Sequence, residues 1–247
     1  MENQVTQLLK AMVKPDYTAC SYAFMQNGKI VCADAIGVID KINNQPITTD
    51  CTFNVCSISK IYCTVCIMQL VDEGLIQLED KVADILPEFT MKDERYKDIT
   101  VRMCLDHSSG LPGTQWKHFS VSTTSKFDYY SEVLNYFSNS TLKADPGTYS
   151  TYCNDGFTLA EMVVSKVRNM PYEDVLKKYI TEKIGAKSTN TTYTINSDCP
   201  LVSEGKKPKE YFPIQGAGGI TTSMIDLCKF GQLFLEPNSI ISEKSKL

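Results

Sequence analysis

Residues 54–80 read NVCSISKIYCTVCIMQLVDEGLIQLED, and this stretch decides the fold. Apolar and small residues fill it almost to Gly74, which predicts a helix that is buried on most sides, Ile61 included. Gly74 stands where a left-handed C-terminal cap is expected. Ser57 and Lys60 lie one turn apart at the start of this helix and therefore on one face.

A serine placed one helical turn before a lysine can act as a nucleophile. Serine alone reacts poorly and needs a base, and lysine serves as one if burial and neighbouring charge lower its pKa. The helix N-terminus adds N–H groups that favour developing negative charge. The spacing recurs at Ser140/Lys143 and Ser203/Lys206, but only Ser57 leads directly into a long apolar helix. The alternative interpretation of Ser57 is a helix cap without chemistry.

A second motif lies in residues 146–164, which read PGTYSTYCNDGFTLAEMVV. Tyr152 and Asn154 are two residues apart just before a predicted helix, so both side chains can point into one cleft. A phenol can relay a proton, and a carboxamide can bind a substrate amide or orient Lys60. The alternative is a turn in which the tyrosine packs and the asparagine tolerates an unusual φ.

The remaining pattern predicts a hairpin followed by helices. Asn27-Gly28 separates a strand at 18–25 from a strand at 30–39, which is typical of a two-residue hairpin turn. Apolar residues at helical spacing predict a helix before this hairpin. Further helices are predicted at 100–106, 127–139, 158–168, 172–184 and after the glycine-rich GAGG, with a polar loop at 186–213.

Composition excludes several classes of function. The net charge is -4 and the pI is about 5.3, so no electrostatic surface for nucleic acid is expected. The basic cluster at 206–209 is flanked by Glu204 and Glu210 and is interpreted as a solvated loop. No apolar run is long enough for a membrane span, and the N-terminus shows no export signal, which favours a cytoplasmic location.

The cysteines are predicted to pack rather than to form disulfides or bind metal. There are ten of them, scattered through apolar runs of a long chain. Cys63 and Cys66 have the spacing of a redox or zinc pair, but no second pair or nearby histidine completes four ligands. We therefore predict that they belong to the core, and that no metal or cofactor is required.

Together, in this order, the Ser57–Lys60 and Tyr152–Asn154 pairs resemble the serine β-lactamase and penicillin-binding protein superfamily. The closest likeness is to class C β-lactamases and their relatives among esterases and D-amino-acid peptidases. Three stretches resemble that family's nucleophile helix, its LLTHTSGL region, and its glycine-rich turn with the following helix. They read FNVCSISKIYCTVCIMQLVDEGLIQLEDKVADILPEF, ITVRMCLDHSSGLPG and GAGGITTSMIDLCKFGQLFL.

The resemblance covers nearly the whole chain and implies an α+β, β-lactamase/transpeptidase-like fold. An antiparallel sheet would pack on helices, with a mostly helical inserted domain. Residues 1–60 would form the N-terminal helix and hairpin that lead into the nucleophile helix. Residues 61–213 would form the helical domain with the tyrosine motif, and residues 214–247 the glycine-rich turn and the helix that returns.

The resemblance also implies roles for individual residues. Ser57 would be acylated, Lys60 would help to deprotonate it, and Tyr152 would be the general base or proton relay. Asn154 would bind the amide side of the substrate, and the Ser57 backbone N–H would form half of an oxyanion hole. His107 would be structural and would support the turn at Ser108–Gly113. The implied function is a serine hydrolase that acts on a small-molecule or peptide amide or ester.

The family's third motif, K-T-G, H-T-G or H-x-G on a strand beside the cleft, has no match in the sequence. Lys229-Phe230-Gly231 has a similar spacing but lies within a predicted helix. Three expectations stay open: a fragment, a shortened homologue with impaired activity, or a chain completed by another chain. In the last case the hairpin edge would mediate a homodimer. The alternative function is a non-catalytic or truncated homologue that binds such ligands.

Overall fold

A computed structural model describes residues 4–12, 19–40, 44–121, 127–191 and 212–246. The helices are α1 Gln4–Met12, α2 Ser59–Asp72, α3 Val82–Ile85, α4 Val101–Leu105, α5 Tyr129–Ser138, α6 Asn154–Arg168, α7 Tyr172–Leu176, α8 Glu182–Ile184 and α9 Met224–Gln232. The strands are β1 Ala19–Gln26, β2 Lys29–Asp40, β3 Gln45–Pro46, β4 Phe53–Asn54, β5 Asn190–Thr191 and β6 Ile220–Thr222. Short helical turns occupy Cys56–Ile58, Glu94–Asp98, Lys177–Thr181, Gln215–Gly219 and Glu243–Lys246.

The N-terminal hairpin forms as the sequence predicts. β1 and β2 pair in antiparallel fashion, and β3 joins the other side of β2. Asn27 and Gly28 have φ values of 50° and 72°, which is the backbone conformation that a two-residue turn requires. Residue 18, the predicted start of β1, lies outside the described residues. In the order β1-β2-β3, β1 is an edge strand of this sheet within the described part of the chain.

A second antiparallel sheet has the order β4-β6-β5 and was missed by the sequence analysis. Phe53 pairs with Thr222, and Thr221 pairs with both Asn54 and Asn190. These strands are two or three residues long, too short to show an alternating pattern. Their importance is positional, because β4 leads directly into the turn that carries Ser57.

α2 lies at the centre of the core and packs against α6 and the Gln215–Gly219 turn. Cys63 and Cys66 are buried within it, as predicted, and burial raises the pKa of the Cys66 thiol to about 12. The prediction for Ile61 was wrong, since its side chain is 46% exposed. An apolar run predicts a helix but not which of its sides other elements cover.

The arrangement is an α+β fold with small antiparallel sheets packed on helices, as predicted. α6 begins at Asn154, four residues before its predicted start at 158, so Asn154 lies in the first helical turn. α9 contains Lys229 and Gly231, which confirms that this lysine–glycine pair lies within a helix. Across the ranges that the structure describes, no helix combines the length and apolar content that crossing a membrane requires.

Candidate active site

The structure brings the four residues of the two sequence motifs together. The Ser57 Oγ lies 2.7 Å from the Tyr152 hydroxyl oxygen. The Lys60 ammonium nitrogen lies 3.4 Å from the Ser57 Oγ and 2.7 Å from the Asn154 Oδ1. The other described serine–lysine pair, at residues 140 and 143, follows the end of α5 and belongs to no helix. The pair at 203 and 206 lies outside the described residues.

Ser57 is exposed in the short helical turn between β4 and α2. Asn54 fixes this turn from both sides. Its Oδ1 accepts a hydrogen bond from the Cys56 N–H at 2.9 Å, and its Nδ2 donates to the Gly218 carbonyl at 2.9 Å. Cys56 adopts a φ of 46°, which is uncommon for a residue with a side chain and costs about 1–2 kcal/mol. Asn54 was not predicted as a residue of the site, although an asparagine two residues before a turn is a recognisable signal.

Lys60 is buried and surrounded by three hydrogen-bond acceptors. Its Nζ donates to the Ala217 carbonyl at 2.6 Å, to the Asn154 Oδ1 at 2.7 Å and to the Ser57 Oγ at 3.4 Å. These acceptors match the three N–H donors of an ammonium group. The same nitrogen lies 4.8 Å from the centroid of the Tyr152 ring. Within the described ranges, no carboxylate forms an ion pair with Lys60.

The Gln215–Gly219 turn is the backbone support of the site. The buried Glu161 of α6 accepts a hydrogen bond from the Gly216 N–H at 2.6 Å. The Ser59 Oγ accepts one from the Ile220 N–H at 3.0 Å. These contacts hold the Ala217 carbonyl against Lys60. The glycine-rich turn was predicted from the sequence, but the role of this carbonyl was not, because a backbone acceptor has no side-chain signature.

The His107 side chain hydrogen-bonds and packs on the segment that contains Tyr152, a partner that the sequence did not predict. Its Nδ1 accepts a hydrogen bond from the Cys153 N–H at 3.2 Å, and its ring centroid lies 4.4 Å from that of Tyr152. The following turn is held by Asp106, which accepts hydrogen bonds from the Ser108 N–H and hydroxyl. Burial, together with the charge of Lys60, lowers the pKa of His107.

Asp155 joins the start of α6 to the loop that faces Asn154. It is fully buried, and its carboxylate accepts hydrogen bonds from the Gln115 N–H at 2.5 Å and the Tyr129 hydroxyl at 3.1 Å. On the same loop the Thr114 Oγ1 accepts a hydrogen bond from the Asn154 N–H at 3.2 Å. Burial raises the pKa of Asp155 from 3.8 to about 6, with the two hydrogen bonds opposing that shift.

The raised pKa of Asp155 predicts that the stability of the protein depends on pH. Between pH 4 and pH 6 the folded protein holds a proton on Asp155 that the unfolded chain has lost, so the contribution of Asp155 to the free energy of unfolding falls as pH rises, by roughly 3 kcal/mol. We expect Asp155→Asn to remove this decline, because the amide keeps an acceptor for Gln115 and carries no charge. Urea unfolding at a series of pH values measures it. The exposed Asp50→Asn is the control, and an unchanged decline in Asp155→Asn would contradict the prediction.

A cavity of about 740 Å³ lies elsewhere in the described residues. It is lined by α5, α6 and α7, with Tyr129, Tyr130 and Tyr172 among its walls, and includes none of the four motif residues. Tyr152 is 53% exposed and Ser57 is exposed as well. The Ser57 site is therefore an open surface in the described part of the chain and not an enclosed chamber.

Comparison with known proteins gives consistent results. Residues 5–247 match the model of the Beta-lactamase family. The chain is 28% identical over 158 residues to penicillin-binding protein 4 of Amycolatopsis lactamdurans, covering 64% of this chain and 40% of that protein. It is 24% identical to the D-alanyl-D-alanine-carboxypeptidase/endopeptidase AmpH of Escherichia coli K12, covering 78% of this chain and 51% of that protein.

The fold is also shared with solved structures. The octameric penicillin-binding protein homologue from Pyrococcus abyssi superposes with a TM-score of 0.78 at 23% identity, covering 98% of this chain and 58% of that one. This chain spans about half the length of the curated relatives it matches. Because the family match extends over almost the whole sequence, the resemblance inferred from the motifs is confirmed. This chain belongs to the beta-lactamase family.

Proposed function

We propose that this chain is a serine hydrolase that forms an acyl-enzyme on Ser57 from an amide or ester. One observation carries the proposal: the Ser57 hydroxyl is hydrogen-bonded to a phenol, Tyr152, at 2.7 Å, beside the buried cation of Lys60. A hydroxyl with a proton acceptor in direct contact is the arrangement that nucleophilic catalysis needs. The candidate substrates are β-lactams and peptides or esters of D-amino acids, as the names of the relatives suggest.

The geometry favours Tyr152 over Lys60 as the acceptor of the Ser57 proton. Lys60 already donates to three acceptors, and its contact with Ser57 is the longest of the three. If Tyr152 is the proton acceptor, the positive charge of Lys60 stabilises the Tyr152 phenolate, and Asn154 holds Lys60 in place. Attack by the Ser57 Oγ on the carbonyl carbon transfers the serine proton to the Tyr152 oxygen. Tyr152 then gives the proton to the departing nitrogen or oxygen.

Hydrolysis of the acyl-enzyme completes the cycle. Water takes the place of the leaving group, Tyr152 accepts its proton, and Ser57 recovers a proton as its ester bond breaks. The first half of this sequence gives a covalent adduct, and the second half gives turnover. A homologue that only binds covalently would stop after the first half, so the two functions differ in the rate at which the acyl-enzyme is hydrolysed.

The test is intact-mass measurement of the purified chain over time with a penicillin, a cephalosporin and p-nitrophenyl acetate. We expect a mass increase equal to the acyl group in the native chain and none in Ser57→Ala. A decay of the adduct within minutes would establish a hydrolase, and a stable adduct would establish a covalent binder. An adduct of equal size in Ser57→Ala would contradict the proposal, and so would the absence of both adduct and hydrolysis product with all three compounds.

A further inference from the structure

We propose that His107 is a positioning residue that must be uncharged for acylation: its neutral imidazole holds Tyr152 against Ser57, and protonation of the imidazole releases Tyr152. This inference rests on the proposed function, because it concerns the group that takes the Ser57 proton. It assigns to the site a dependence on pH that comes from a residue outside the two sequence motifs.

His107 contacts the chain on both sides of Tyr152. The His107 carbonyl accepts a hydrogen bond from the Thr151 N–H at 2.9 Å, and the His107 Nδ1 accepts one from the Cys153 N–H at 3.2 Å. The two donors belong to the residues immediately before and after Tyr152. One residue therefore fixes the backbone of the 151–153 segment and with it the direction in which the Tyr152 side chain leaves the chain.

The same imidazole contacts the Tyr152 side chain itself. The two ring centroids are 4.4 Å apart, and Phe157 lies behind the imidazole at 5.4 Å. Since the Tyr152 side chain is 53% exposed, few other groups among the described residues hold it. Its 2.7 Å contact with the Ser57 Oγ depends on this limited support.

Protonation is incompatible with this arrangement. The hydrogen bond from Cys153 requires a lone pair on Nδ1, so the proton of the neutral ring lies on Nε2. A second proton on Nδ1 would point at the Cys153 N–H and convert an attraction into a repulsion between two donors. It would also add a positive charge that Lys60 disfavours and Asp106 favours.

These charged groups decide at which pH the change occurs. Lys60 reaches His107 from α2, Asp106 precedes it in the chain, and Tyr152 and Cys153 face it from the segment before α6. Burial and Lys60 favour the neutral ring more strongly than Asp106 favours the charged one, so the pKa is lowered. The neutral ring is therefore the form present at neutral pH, and the charged form appears in acid.

Asparagine is a suitable replacement for His107. Its Oδ1 supplies an acceptor close to the position of Nδ1 and does not titrate in this range. The φ of His107 is 65°, a region in which asparagine is readily accommodated. The chain contains two histidines, and the second, His118, has a φ of 60°. His118→Asn is thus a matched control that changes the same residue type in the same backbone conformation.

The experiment is the rate of Ser57 acylation by a fluorescent penicillin between pH 4.5 and pH 8. For the native chain and for His118→Asn we expect the rate to fall in acid, with a midpoint below 6.5, the ordinary value for histidine. His107→Asn should lack the part of this fall that His107 causes and keep only the part that comes from Tyr152 as the proton acceptor. Its rate at pH 7 should stay within a few-fold of the native rate. His107→Phe, which keeps a ring but no acceptor, should be slower than the native chain by roughly 10- to 100-fold at pH 7, and the two rates should converge in acid.

An identical acid fall in His107→Asn would overturn the proposal, and so would a native rate in His107→Phe. If His107→Phe does not fold, the comparison of the two asparagine variants still decides. A second measurement does not depend on acylation. In the free chain, the NMR signal of the Cys153 amide should shift as the His107 imidazole titrates. If no probe acylates the native chain, the proposed function fails, and a Cys153 signal that does not move with His107 would overturn the present inference as well.

Discussion

Replacing Tyr152 with phenylalanine is expected to slow the acylation of Ser57 by about 10²- to 10⁴-fold, the usual contribution of a positioned proton acceptor. The substitution removes one oxygen atom, which lies 2.7 Å from the Ser57 Oγ, and keeps the ring that contacts His107. Because the side chain is 53% exposed, the free energy of unfolding should change little. The rate of adduct formation at saturating β-lactam, measured by rapid quench and mass analysis, gives the effect.

Tyr149→Phe is the control for this substitution. Tyr149 lies on the same segment and is 66% exposed, so its loss of a hydroxyl should leave the rate unchanged. If Tyr152→Phe acylates within threefold of the native rate, Tyr152 is not the proton acceptor. Lys60 would then be the base, and its contact with Ser57 at 3.4 Å would have to shorten in the complex with substrate.

Replacing Gly110 with alanine is expected to reduce the free energy of unfolding by about 4 kcal/mol or more, an exceptional loss for one methyl group. Gly110 has a φ of 72°, and an added Cβ would lie 2.3 Å from the Ala144 carbonyl oxygen. The Gly110 carbonyl also accepts a hydrogen bond from the Lys143 N–H at 2.9 Å, so the two loops cannot separate without losing it. Thermal unfolding should show a midpoint lower by on the order of 10 °C.

Gly74→Ala separates the two causes of this loss. Gly74 has a φ of 71°, almost the same as that of Gly110, but no atom lies within 4 Å of an added Cβ. Its substitution should therefore cost only the backbone term, about 1–2 kcal/mol. Equal losses in the two variants would show that the contact with Ala144 relaxes and that backbone conformation alone sets the effect.

The sequence predicts the parts of this fold that depend on long local patterns. The Asn27-Gly28 turn and the helix that ends before Gly74 follow from turn chemistry and from apolar runs. The short strands β5 and β6 could not be predicted, because two or three residues carry no period and their pairing depends on residues far apart in the chain. The exposure of Ile61 was missed for a related reason: burial is set by what lies opposite a helix and not by the helix itself.

The candidate site shows the same division. Ser57, Lys60, Tyr152 and Asn154 were predicted because their side chains carry chemistry at a recognisable spacing. Glu161 supports the site through the Gly216 N–H, and its position within an apolar helix gave no indication of that contact. Asn54 and His107 were present in the sequence, but their partners, 164 and 46 residues away, appear only in three dimensions.

The Lys60 contact with the Ala217 carbonyl has a consequence for how the family can vary. Every amino acid has a main-chain carbonyl oxygen, so no substitution at residue 217 removes this hydrogen-bond acceptor. Selection on this contact must act on the neighbours that fix the oxygen. An added Cβ would lie 3.1 Å from the Glu161 carboxylate at Gly216 and 2.7 Å from the Phe212 carbonyl at Gly219. In a saturation library, intolerance should therefore concentrate at these two glycines, while residue 217 accepts other small side chains.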